Sequence, residues 1–250
     1  MTPDTIQFRT GVIKPVECVK EGWALIKDQY WLFLGIVFVG IFVGGAVPIV
    51  LIGPMMVGIY ICFFRRMRGE PVDFGLLFKG FDYFAQSLIA AVIQMIPLVV
   101  VMVPAYIIMF ALMMTSMPRG GGRMDPDASS RFLFTFLGFE LVFVTVICAV
   151  GIIVGIFFLF AFPLIADRGL SGLDATKLSI KAGKANFGGI LSLLLLNLAM
   201  GIVGVLACYV GVFFLMPISL ASYAVAYRRV FPALSQNFAS PPPPPANWAT

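Results

Sequence analysis

The feature that most constrains the fold is a run of 34 residues without a charged side chain, from Trp31 to Phe64. As one helix this run would extend about 51 Å, which exceeds the hydrocarbon core of a bilayer, about 30 Å thick. Gly44-Gly45 and Pro48 interrupt the run near its middle. It therefore predicts a hairpin of two membrane spans, over 31–46 and 49–64. Because each span is short, a re-entrant hairpin that stops before the far side remains open.

Three further apolar stretches predict the remaining spans. A second charge-free run, 39 residues over 189–227, divides into spans 189–206 and 210–227, and single spans are predicted over 84–114 and 132–165. Hydrophobic residues make up 60% of the chain and charged residues 12%, whereas soluble proteins carry about 25% charged residues. The sequence thus predicts an all-α polytopic protein with one membrane domain, 1–234. The proline-rich segment 235–250 is predicted to be a disordered tail.

Two amphipathic segments are predicted to lie in the membrane interface. In 15–30 the apolar side chains recur every three or four residues, and Pro15 suits the first turn of a helix. A short helix packed on the loops is the alternative for this segment. In 73–82, Asp73 can cap a helix on which Phe74, Leu77, Phe78 and Phe81 share one face.

Two parts of the chain resemble each other in the spacing of their prolines and arginines. Pro54 precedes Arg65-Arg66 by eleven positions, and Pro217 precedes Arg228-Arg229 by the same interval. In each case an amphipathic segment comes before the hairpin. We therefore expect a possible parallel internal repeat, in which the first two spans correspond to the last two.

The distribution of basic residues predicts the orientation. With a cytoplasmic N-terminus, 14 of the 17 Lys and Arg residues fall on the cytoplasmic side, and only Arg119, Arg123 and Arg131 fall outside. Cytoplasmic loops of membrane proteins carry the excess of Lys and Arg. Both termini are therefore expected in the cytoplasm. A repeat whose units enter from the same side has its axis along the membrane normal.

Candidate binding residues are of two kinds. Lys177, Lys181 and Lys184 recur at steps of four and three, which suits anionic lipid headgroups, and a merely solvated basic face is the alternative. The arginine pair Arg65-Arg66 is assigned to the same headgroups. Three polar residues lie inside predicted spans and form a possible intramembrane site: Gln94, Asn197 and Glu140. The alternatives are a solvated interfacial position for Glu140 and hydrogen bonds across helices for Gln94 and Asn197.

The sequence offers no catalytic, cofactor-binding or metal-binding motif. It contains no histidine, and its four cysteines are scattered without a C-x-x-C pair. We expect a non-catalytic accessory or scaffold protein whose partners are anionic membrane lipids and a membrane protein or a second copy. The alternative is a transporter or channel for a hydrophobic or lipid-like solute. No nucleic-acid partner and no cofactor are expected.

The two middle spans are too long for the bilayer. They comprise 31 and 34 residues, or about 46 and 51 Å, and their outer ends, 105–114 and 132–144, are rich in apolar side chains. Apolar surface in water rarely stays uncovered over large patches. We therefore expect these ends to be covered by each other and by a partner or second copy.

The order of several short motifs over 15–230 resembles a group of bacterial integral-membrane proteins related to the membrane domain of glycerophosphoryl diester phosphodiesterases. The motifs include Gly22-Trp23, Gly53-Pro54, Arg68-Gly69 before Phe74, Phe162-Pro163 with Asp167, Lys177 and Ser179 with Asn186, and Met216-Pro217 before Tyr227-Arg228. The resemblance implies a six-helix fold in the bacterial cytoplasmic membrane. It implies no activity, because catalysis in those relatives belongs to a separate soluble domain that does not appear in this sequence.

Overall fold

The structure is a computed structural model that describes residues 6–116, 126–207 and 210–233. Within this part the chain is helical and contains no strand. The predicted tail, 235–250, lies outside the described residues. The α-helices are α1 (Pro15–Ile26), α2 (Tyr30–Ala46), α3 (Pro48–Met67), α4 (Phe84–Ser116), α5 (Pro126–Phe158), α6 (Ala161–Arg168), α7 (Gly172–Ala185), α8 (Phe187–Leu206) and α9 (Val210–Val230).

Six stretches of the described chain are helical, long enough and apolar enough to cross a membrane. They contain α2, α3, α4, α5, α8 and α9, so the predicted all-α fold with six candidate spans is confirmed. The predicted hairpin break falls at Val47, where Pro48 begins α3. Because proline lacks an N–H and fixes φ, it suits the first turn of a helix.

The six long helices form a closed ring in which each contacts the next, in the order α2, α3, α4, α5, α8, α9 and back to α2. Three units build the ring, and each consists of a short segment followed by a hairpin. The first is α1 with α2–α3, the second is the 3₁₀ segment Phe74–Tyr83 with α4–α5, and the third is α7 with α8–α9. The contacts thus extend the predicted repeat from two units to three.

The short segments connect the units cyclically. The segment of each unit packs on the hairpin of the unit before it, so that α1 packs on α8–α9, Phe74–Tyr83 on α2–α3, and α7 on α4–α5. In each case a glycine of the segment lies so close to the second helix of that hairpin that a Cβ would collide with its backbone. The three pairs are Gly22 with Ser222, Gly80 with Pro54, and Gly183 with Ile156.

The predicted fourth span, 132–165, falls within the candidate span Phe132–Arg168, but its helix is interrupted near the basic end. The helix α5 begins earlier, at Pro126, and ends at Phe158, and α6 follows after a break at residues 159 and 160. Pro163 explains the break, since in a continuous helix its ring would clash with the carbonyl four residues earlier. The hydroxyl of Ser179 accepts from Phe160 N at 3.2 Å and donates to Phe157 O at 2.7 Å, which satisfies the backbone there.

The segment that was predicted to lie in the membrane interface over 73–82 is partly buried within the protein. The segment Phe74–Tyr83 is a 3₁₀ helix capped by Asp73, and its buried residues are Leu76, Leu77 and Gly80, so the predicted apolar face is wrong. Phe74, Phe78 and Phe81 are exposed. With three residues per turn, a 3₁₀ helix turns a different set of side chains inward than an α-helix does.

The helices α4 and α5 are the longest in the ring, with 33 residues each, against 17 to 21 in the other four. They therefore run about 50 Å, compared with about 26 to 32 Å for the others. The end of the ring at which α3, α6 and α9 finish is called the basic end below, and the opposite end the distal end. Toward the distal end, α4 and α5 pack on each other, with the Tyr106 and Phe143 rings 5.2 Å apart.

Candidate functional sites

A buried ion-pair cluster joins α6 to α9 at the basic end. Both carboxylate oxygens of Asp167 accept from the guanidinium of Arg228, at 2.6 and 2.9 Å, and Tyr227 Oη donates to Oδ2 at 2.8 Å. Arg168 donates to Asp167 at 3.0 Å and to Pro232 O at 2.7 Å. The Arg228 guanidinium also stacks over Phe64, 4.4 Å from the ring centroid. Both carboxylate oxygens of Asp167 therefore bind groups of α9 and hold α6 to this helix. A bidentate pair between arginine and a carboxylate fixes the relative orientation of the two side chains as well as adding stability.

The other arginines of the basic end also bind within the protein. Arg66 donates to Leu25 O at 3.0 Å and pairs with Asp28, and Arg65 pairs with Glu70. Both arginines therefore have carboxylate partners within the protein, and their assignment to lipid headgroups stays a prediction. The Arg68 guanidinium also bonds Glu70 and lowers the pKa of that carboxyl.

The helix α1 is fastened to α9 in the same way. Arg229 bridges Glu17 and Glu21, at 3.0 and 2.7 Å. Gly22, the residue after Glu21, lies against the backbone of Ala221 and Ser222. The first amphipathic segment is thus packed along a helix of the ring.

The three lysines of α7 differ from these arginines. Lys177, Lys181 and Lys184 are exposed, whereas the opposite face of α7 is buried against the ring. Within the described part of the chain these lysines make no ion pair. Their charges therefore remain available to a ligand outside the protein.

An open groove, called the cavity below, lies between α5, α8 and α9 and has a volume of about 370 Å³. Its lining contains no charged side chain and is mainly apolar, with a few neutral polar groups. The lining residues include Gly151, Gly201, Asn197 and Tyr223. Asn197 is 7% exposed, and its Nδ2 donates to Leu193 O at 2.9 Å and to Ser222 Oγ at 3.3 Å. Asn197 Oδ1 is buried and has no hydrogen-bond donor. A buried acceptor left unpaired is costly, which marks this side chain for attention.

The three predicted intramembrane polar residues are not brought together. Gln94 lies on α4, also has a buried oxygen without a partner, and does not line the cavity of Asn197. Glu140 is exposed on α5, 18 residues before its end at Phe158, or about 27 Å along the helix. Of the three, only Asn197 combines burial, an unpaired atom and an adjacent cavity.

Sequence reasoning missed the cluster around Asp167. The neighbouring Arg168 is one partner of this carboxylate. Sequence reasoning could not find Arg228 and Tyr227 as further partners, because they lie 61 and 60 residues away. The recurring double arginine was the available signal, since such residues at a helix end need counter-charges.

Comparison with known proteins gives limited information. Uncharacterized proteins from Mycobacterium bovis and Mycobacterium tuberculosis are 32% identical to the chain over 98 residues. The matched region is 39% of this chain and 30% of the length of each relative. No known protein family and no solved structure matches the chain.

Proposed function

We propose that this chain is a non-catalytic accessory or scaffold protein of the bacterial cytoplasmic membrane, which binds anionic lipid headgroups through Lys177, Lys181 and Lys184. The observation that carries the proposal is the contrast between arginines and lysines at the basic end. Arg66, Arg228 and Arg229 are matched by carboxylates, whereas these lysines form an exposed stripe without counter-charges. Each lysine near an anionic membrane surface contributes about 1 kcal/mol to binding.

The position of α7 supports this assignment. Its small residues pack against the sides of α4 and α5, where Gly172 meets Gln86 and Gly183 meets Ile156. The lysine face therefore points away from the ring at the level where these helices approach the basic end. In the proposed orientation this end is cytoplasmic, as the excess of Lys and Arg indicates, and the resemblance to the phosphodiesterase membrane domain supports a bacterial cytoplasmic membrane.

The proposal also includes a membrane-protein partner or a second copy that covers the distal halves of α4 and α5. Phe134 and Leu141 on α5 are 73% and 71% exposed. The proposal needs this cover because the two helices exceed the thickness of the hydrocarbon core.

Lipid titration of the full chain in detergent tests the headgroup assignment. Phosphatidylglycerol should raise the thermal unfolding temperature more than phosphatidylcholine does. Changing Lys177, Lys181 and Lys184 together to Gln should remove most of this difference. The matched control changes Lys20, Lys27 and Lys79, which carry the same total charge elsewhere. If both triple variants respond alike, the effect is nonspecific and the assignment is wrong.

A second function, passage of a hydrophobic or lipid-like solute, is favoured by the cavity between α5, α8 and α9. Its volume, about 370 Å³, falls within the range of about 300–1,000 Å³ typical of small-molecule sites. One measurement, solute passage into vesicles, distinguishes the two functions. Transport requires that a solute crosses vesicles containing the purified chain alone, whereas an accessory protein has no such activity without its partner.

A further inference from the structure

The cavity between α5, α8 and α9 contains a polar group whose hydrogen bonding is incomplete. Both hydrogens of Asn197 Nδ2 are used, by Leu193 O and Ser222 Oγ, which fixes the orientation of the side-chain amide. Its Oδ1 remains as a buried acceptor without a donor. An occupant that supplied one donor would therefore satisfy this acceptor.

The chemistry of the lining restricts the occupant. The lining carries no charged side chain and is mainly apolar, with Ile152, Leu194 and Leu198 among its members. A phosphate or carboxylate group would bring charge without a counter-charge, and neither offers a donor to Asn197 Oδ1. An ordinary acyl chain fits the apolar walls but also leaves Oδ1 unpaired. A hydroxyl on an otherwise apolar molecule satisfies both conditions.

The position of the cavity fits such a molecule. Asn197 is ten residues beyond Phe187, where α8 begins near the basic end, or about 15 Å along the helix. On α5, Ile152 lies one turn from Ile156, which contacts Gly183 of α7. The cavity therefore extends from about one helical turn beyond the contact between α5 and α7 to Asn197, about 15 Å along α8, and the chain of a lipid can follow α5 and α8.

We propose that this cavity binds a neutral lipid alcohol, such as a long-chain alcohol or a diacylglycerol, whose hydroxyl donates to Asn197 Oδ1. This inference goes beyond the headgroup binding assigned to α7 and does not depend on it. Asn197 supplies the selectivity for a hydroxyl, and the apolar lining supplies most of the affinity.

Two glycines make the proposal testable without disturbing the ring. Gly151 on α5 and Gly201 on α8 line the cavity, and a Cβ added at either position meets no atom within 4 Å. Gly201→Leu should therefore fill the cavity, and Gly151→Leu should do so from the opposite wall. Gly138 on α5 also faces open space and does not line the cavity, so Gly138→Leu is the matched control.

The experiment uses the full chain in phosphatidylcholine nanodiscs and two photoreactive probes, a diazirine-bearing hexadecanol and its methyl ether. The alcohol should label peptides of α5 and α8 about fivefold more than the ether, which cannot donate a hydrogen bond. Excess hexadecanol should compete with the label. Gly201→Leu and Gly151→Leu should abolish labelling, and Gly138→Leu should retain it. Asn197→Leu should label with alcohol and ether equally.

Three outcomes would overturn the proposal. Equal labelling by the two probes in the unchanged protein would mean that the cavity holds acyl chains or water without recognising a hydroxyl. Labelling that persists in both filled variants would place the probe elsewhere. A preference for the alcohol that survives in Asn197→Leu would assign the recognition to another group. Thermal unfolding of each variant confirms that it is folded, and the comparison of probes in the unchanged protein needs no variant.

Discussion

The basic end of the ring and the distal halves of α4 and α5 both carry large apolar side chains but differ in packing. At the basic end, large side chains such as Phe160 and Tyr227 are fully buried, whereas Phe134 and Leu141 on distal α5 are mostly exposed. The glycines differ in the same way. Gly22, Gly80 and Gly183 let backbones meet, whereas Gly138 and Gly151 on α5 face open space. Hydrophobic composition therefore determines which helices can enter a membrane, and small residues determine which of them pack closely.

The largest expected effect comes from a methyl group at the closest helix approach. In Gly80→Ala the new Cβ would overlap Pro54 O and the backbone of Gly58, so the 3₁₀ segment must move away from α3. We expect a loss of more than about 3 kcal/mol in the free energy of unfolding in detergent. Gly138→Ala should lose nothing. If both variants are equally stable, close glycine packing does not explain the comparison.

The next effect comes from the charge at the basic end. Asp167→Asn leaves the Arg228 guanidinium without its carboxylate. Both side chains lie largely inside the protein, since Asp167 is 10% exposed and Arg228 is 17% exposed. Removing one partner of a buried ion pair costs about 3–5 kcal/mol, and we expect a value near the lower limit. The control is Asp28→Asn, whose side chain is 63% exposed, with an expected cost below about 1 kcal/mol. Denaturant titration followed by tryptophan fluorescence measures both.

A smaller effect is expected from one hydroxyl of the same cluster. Tyr227→Phe keeps the buried ring and removes the hydrogen bond to Asp167 at 2.8 Å. The expected cost is about 1–2 kcal/mol, because the bond joins a charged acceptor. Tyr106→Phe on distal α4 changes the same atom in the less packed region and should cost less than about 0.5 kcal/mol. Equal costs for the two would remove the distinction between the regions.

The smallest effect on the isolated chain is expected at the distal end. Leu141→Ala removes an exposed side chain and should change the free energy of unfolding by less than about 0.5 kcal/mol. Cysteine labelling in the native membrane then sharpens the comparison. Positions 105–112 and 133–143 should be protected from a water-soluble maleimide where a partner covers them and should become reactive after purification. Free labelling in the native membrane contradicts the proposed cover.

Much of the architecture could be predicted because charges and prolines mark helix ends in a chain this apolar. The hairpin at Pro48 and the last span over 210–227 follow from such marks, and α2–α3 and α8–α9 confirm them. The second unit, Phe74–Tyr83 with α4–α5, was missed because α5 lacks the proline and arginine pair that α3 and α9 share. The end of α5 at Phe158 was missed because Ser179, which completes the break, is 22 residues away from Phe157.

The candidate sites were less predictable for a related reason. A sequence shows the position of an arginine but does not show whether a distant carboxylate forms an ion pair with it. Arg66 and Asp28 are 38 residues apart, and Arg229 and Glu17 are 212 apart. Asn197 was visible as a polar residue in an apolar span, whereas its unpaired oxygen and its cavity depend on three helices meeting. The lysine stripe was easier to predict because its spacing within one helix contains the signal.

The cyclic order of the units has a consequence for how the chain is made. Synthesis proceeds from the N-terminus, yet α1 packs on α8–α9, and Arg9 N donates to Val230 O at 2.9 Å. The segment α1 is therefore made before its docking surface, which is translated about 200 residues later. The ring can close only once α9 has been made, because α9 supplies the contacts to both α1 and α2.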